Sequence, residues 1–140
     1  MPSGELVCVE PGRVHEIWPI VAPLLRRATA RTGLSAFADI ERDVLAGGAL
    51  LWLALSGERS ALAIDAAAST CLQHTDAGKV CVVTACAGNN MSRWLPLMPG
   101  IENYARDEGC KRVRIFGRKG WLRVLEGYRP KHIILDKELR

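Results

Sequence analysis

Residues 101–121 read IENYARDEGCKRVRIFGRKGW, and the parsing of this stretch decides the fold. Ile101, Tyr104 and Ala105 keep the three-and-four spacing of a helix face, with the regular part starting as late as Pro99 and Gly109 as the stop. Lys111–Phe116 then alternates charged Arg112 and Arg114 with apolar Val113 and Ile115, the period-two signature of a strand. The Gly-Arg-Lys-Gly turn at 117–120 leads into a short helix from Gly120 or Trp121 to Leu125, and His132–Leu135 reads as a last strand.

Upstream the linkage is different. Ala49–Leu55 (ALLWLAL) is a short apolar strand between Gly47-Gly48 and the turn signal Ser56-Gly57-Glu58. That turn pairs it with Ser60–Ala68; Cys71–His74 continues the edge or a bend, Asp76-Ala77-Gly78 turns, and Lys79–Ala87 (KVCVVTACA) is a third buried strand. These three make a meander. Earlier still, Glu5–Val9 is a first strand closed by Pro11-Gly12, and apolar residues from Val14 to Ala28 trace one helix face, which Pro19 and Pro23 should kink or delay. A second helix runs from Ser35 or Ala36 to Leu45, with Ser35 as its N-cap. Ser92 has the same expected role after Gly88-Asn89-Asn90. Helices between strands, combined with hairpin-linked strands, call for a mixed sheet with helices on its faces.

The 140 residues fit one domain spanning 1–140, and no apolar run reaches the roughly 18–20 residues of a membrane helix. The N-terminus shows no charged flank before an apolar stretch, so a cytoplasmic location is expected. The five cysteines lack a C-x-x-C pair, and the histidines are scattered, so neither a disulfide framework nor a metal site is indicated. Charge is uneven: residues 1–110 carry nine Lys/Arg against twelve Asp/Glu, residues 111–140 ten against three. The basic end would attract a phosphate-bearing ligand.

The order of elements resembles that of the GNAT superfamily of acetyl-CoA-dependent N-acyltransferases over nearly the whole chain. The segment GCKRVRIFGRKGW, after a helix ending Ala-x-x-x-Gly-Cys, looks in particular like GNAT-like proteins of phages and prophages. The resemblance implies an α+β fold with a central mixed, mostly antiparallel twisted sheet flanked by helices on both faces. It implies that the fourth strand splays from the fifth and that the acyl-pantetheine arm of acetyl-CoA lies in the gap. Backbone N–H groups near Val83 and Ala85 would then meet the oxyanion. Gly88, Asn89, Asn90, Ser92 and Arg93 would hold the pyrophosphate, with Arg118 and Lys119 adding charge nearby. Tyr128 would be the acid for the leaving thiolate and Asp65 the base for a small-molecule or protein amine. No metal is implied, and a homodimer is one expected assembly.

Two departures from the family pattern are visible. The donor loop usually carries several glycines, whereas Ala87-Gly88-Asn89-Asn90-Met91-Ser92 has one, and the helix position that commonly bears a tyrosine falls on Leu125. A phage-related GNAT-fold interaction module without catalysis is therefore the alternative function. Asp65 also reads as an exposed strand carboxylate, Tyr128 as a packing aromatic, and Glu41 and Asp43 as either acceptor-site lining or a solvated helix face. Trp18, Trp52 and Trp94 fall on apolar faces, and Trp121 is an anchor whose indole N–H should find a carbonyl. Nucleic-acid binding through residues 111–140 has no helix-turn-helix, zinc-finger or aromatic signature behind it.

Overall fold

The computed structural model describes residues 4–57, 62–89, 91–116 and 119–139. Five strands form one sheet in the order β1-β2-β3-β4-β5: Glu5–Cys8, Leu50–Ser56, Ala63–Thr75, Gly78–Gly88 and Arg112–Ile115. The first four run antiparallel to their neighbours, and β5 joins β4 in parallel. A parallel neighbour needs a crossover, and the chain provides one in the helices α3 (Met91–Trp94) and α4 (Met98–Asp107). The sheet is thus the mixed, mostly antiparallel one that the element order implies.

β2 is apolar along nearly its whole length because both of its faces are covered. Leu51 and Leu53 pack with α1 (Val14–Thr32) and α2 (Phe37–Ala46), whereas Trp52 and Ala54 pack with α3 and α4. α1 buries Val14, Trp18, Val21, Leu25 and Thr29. Pro19 and Pro23 do not interrupt it, and both sit on its exposed side. α1 and α2 are fastened together by Trp18, which stacks on Phe37 and donates its indole N–H to Glu41 Oε2 at 2.8 Å. Glu41 is thereby committed to packing, and Asp43 pairs with Arg42 on the surface.

Several expected boundaries shift. The N-cap of α2 is Ala36, without a side-chain cap, so Ser35 does not cap it. Ser92 lies inside α3 rather than before it. β3 runs unbroken through Cys71–His74, because those residues pair with β4 from Val82 to Lys79. Ser60 and Ala61, the expected start of that strand, lie outside the described residues. His132–Leu135 is not a strand: the segment is irregular, with Ile133 86% and Leu135 90% exposed. Strand propensity is realised only against a ladder and a face to bury, and this segment has neither. It meets the sheet through His132 Nε2, 3.3 Å from Arg114 Nη2. Among the described residues no helix is long and apolar enough to cross a membrane.

Candidate active site

The site begins with a count of strand residues. Among the described residues β4 pairs with β5 from Val80 to Val83, and its further residues, Thr84 to Gly88, have no partner on that side. A bulge sits at the point of parting: Ser69 faces Ala85 and Thr70 faces Val83, so Thr84 is an extra residue in β4. Such an insertion bends a strand and sharpens its twist. The Thr84 hydroxyl hydrogen-bonds with that of Ser69 and reaches Ser69 O at 3.2 Å, which ties the bulge to β3.

Beside the unpaired part of β4 lies a cavity of about 150 Å³. Its lining includes β4 from Thr84 to Gly88 and, beyond the end of β5, Phe116 and Trp121. Trp94 forms part of its lining from α3, with its ring 6.0 Å from Trp121. Arg27, Arg31 and Thr32 of α1 form the remaining side. Trp94 is 4% exposed, and among the described residues its indole nitrogen has no hydrogen-bond partner. Cys86 also lines the cleft, but burial pushes its thiol up to about 12, so it is protonated at neutral pH and poorly nucleophilic.

The residues singled out in the sequence fall in different places. Ala85, Gly88 and Asn89 line the cleft; Val83 is the last β4 residue paired with β5. Gly88 is not in a left-handed conformation. Its requirement is space: a Cβ there would lie 2.5 Å from Trp94 Nε1, 2.7 Å from Ala66 Cβ and 2.8 Å from the Asp65 carbonyl oxygen. The Asn89 N–H already donates to Asp65 O at 2.9 Å. Asn90 and Arg118 lie outside the described residues, as do the side chains of Arg93 and Lys119.

Asp65 occupies a second bulge, the extra β3 residue between the pairs Ala54–Ala66 and Leu55–Ile64, and it does not line the cleft. Tyr128 donates its hydroxyl to Glu102 Oε2 at 2.7 Å; burial, then that carboxylate, pushes the phenol well above its usual value. Leu125 is 7% exposed and packs in the α4-side core with Trp121 and Tyr128. Tyr128→Phe is therefore expected to cost about 1–2 kcal/mol, because Glu102 loses a donor, while leaving ligand binding in the cleft unchanged. Denaturant midpoints and cleft-ligand titrations on both proteins check this.

Two parts of the cleft, the α1 wall and Thr84, lie outside the residues expected at the site. Leu24, Arg27, Ala28, Arg31 and Thr32 form an i, i+3, i+4, i+7, i+8 stripe distinct from the buried one, which was a usable signal. Thr84, a lone hydroxyl within VCVVTAC, was another.

No protein-family description and no curated protein sequence matches the chain. Solved structures do. A predicted acetyltransferase of Clostridium acetobutylicum with acetyl-CoA superposes with a TM-score of 0.65 at 12% identity, covering 96% of each chain. A GNAT family acetyltransferase of Staphylococcus aureus gives 0.61 at 11% identity over 98% of this chain and 99% of that one. An aminoglycoside acetyltransferase from an uncultured soil sample, in complex with sisomicin, gives 0.64 at 8% identity over 98% and 97%. The fold is that of the GNAT acetyltransferases.

Proposed function

We propose that the protein transfers an acetyl group from acetyl-CoA to an amine on a small molecule or a protein. The observation that carries this reading is the parting of β4 from β5 at the Thr84 bulge, which among the described residues leaves the β4 edge unpaired along one wall of the cleft. An unpaired edge fits the amide-bearing arm of the donor, and the two arginines with no carboxylate among the described lining residues fit its anionic end. Acetyl-CoA supplies an acyl group activated as a thioester. β4 backbone N–H groups near Val83 and Ala85 would face the oxyanion formed as the amine nitrogen attacks the carbonyl carbon. The C–N bond forms, the C–S bond breaks, one proton leaves nitrogen and one reaches sulfur. Leu125 cannot supply that proton, and the Tyr128 hydroxyl is engaged by Glu102. Catalysis would then rest mainly on positioning.

The second reading, a phage- or prophage-related GNAT-fold interaction module without transfer, is favoured by the occupied Asn89 N–H and the buried Leu125. Calorimetry with acetyl-CoA separates the two. Saturable binding, followed by acetylation of an amine panel, is expected; absence of binding at millimolar donor would leave the second reading in its place.

A further inference from the structure

Arg27 and Arg31 are one helical turn apart on the α1 stripe that lines the cleft, and both are exposed. The residues three and four positions from Arg27 are Pro23, Leu24, Ala30 and Arg31; those from Arg31 are Arg27, Ala28, Leu34 and Ser35. None is acidic, so the helix offers neither guanidinium a neighbouring carboxylate. The ion pairs among the described residues use Arg13, Arg42 and Lys79 instead. The adjacent Arg26 is turned to the other side, 4.4 Å over the Phe37 ring. No Asp or Glu is found among the described residues that line the cleft.

Two like charges at i, i+4 repel. The negative end of the helix dipole favours Arg31, in the last turn, but falls off before it can account for a pair. A planar guanidinium fork matches phosphate and carboxylate oxygens, and two forks on one wall match a group with oxygens on both sides. We propose that Arg27 and Arg31 clamp an anionic group of the cleft ligand, a phosphate, diphosphate or carboxylate. Two sources share that chemistry: the diphosphate of the donor, or an acidic group on the acceptor. The choice of source rests on the transfer reading above; the clamp itself does not. An anionic acceptor would also be the opposite of a polycation, which two unpaired arginines would repel.

Trp94 and Trp121 line the same cleft, so intrinsic fluorescence reports its occupancy. Inorganic pyrophosphate is titrated at low salt into the full chain, the Arg27→Ala/Arg31→Ala variant, and an Arg13→Ala/Arg42→Ala control with the same charge loss. Saturable binding is expected in the parent and the control, about 10- to 100-fold weaker in the cleft variant. Arg27→Lys/Arg31→Lys should fall between, keeping charge and losing the fork.

CoA titration and initial-rate kinetics then distinguish the sources. A parallel loss of CoA affinity assigns the clamp to the donor. Unchanged CoA affinity, with a raised KM for phosphoethanolamine or glutamate but not for ethanolamine, assigns it to the acceptor. Undetectable pyrophosphate binding in the parent, or equal affinity in the cleft variant, overturns the proposal. If the pyrophosphate pattern holds while acetyl-CoA does not bind, the clamp stands and the transfer reading fails.

Discussion

Gly88→Ala is expected to lower folding stability by about 2–3 kcal/mol, the upper part of the range for overpacking a filled site. The added methyl would meet three atoms within 2.8 Å, and two of them cannot rotate away: Ala66 Cβ is fixed to the β3 backbone, and the Asp65 carbonyl is backbone. That carbonyl also accepts the Asn89 N–H, so displacing it disturbs the hand-over from β4 to α3. The melting temperature should fall on the order of 10 °C, and affinity for any cleft ligand should fall with it, because Gly88 and Trp94 both line the cavity. Thermal unfolding followed by circular dichroism measures the first, fluorescence titration the second. A change below about 0.5 kcal/mol would show that β4 and β3 separate more easily at this point than their contacts indicate.

That glycine shows what a linear reading can and cannot recover. Its position at the end of an apolar strand is readable from the spacing alone. The demand on it is instead three-dimensional, an approach of Trp94 and β3 that no spacing rule encodes. The two bulges are hidden for a related reason: a bulge is a mismatch between two strands, and neither strand carries it alone. Period and punctuation carried the rest well. ALLWLAL, KVCVVTACA and KRVRIF each form strands within a residue or two of their sequence limits, because burial on both faces or alternation sets them. His132–Leu135 has the same local pattern and fails for want of a partner edge. Arg27 and Arg31 were legible as a stripe, but their importance depends on β4 parting from β5 beneath them, a fact of register rather than of composition.

Trp94→Ala and Trp94→Phe are expected to differ by far more than ring size alone implies. Truncation to Ala empties a site that packs on Trp121 at 6.0 Å and joins the α4-side core with Met98 and Ile101, so a cost of about 3–5 kcal/mol follows. Phe loses part of that apolar area. It also removes an indole N–H that is buried with no partner among the described residues, a group whose desolvation costs about 1–3 kcal/mol while it remains unpaired. The two contributions oppose each other, and Trp94→Phe should cost less than about 1.5 kcal/mol. It should also soften Gly88→Ala, since the nearest of the three obstructing atoms is Trp94 Nε1; the rescue stays partial because Ala66 and the Asp65 carbonyl remain. A double-mutant cycle from urea midpoints reads the coupling directly. Equal costs for Phe and Ala would mean that the indole nitrogen is satisfied in solution, and additive costs with Gly88→Ala would mean that the close approach of ring and strand does not set the need for glycine.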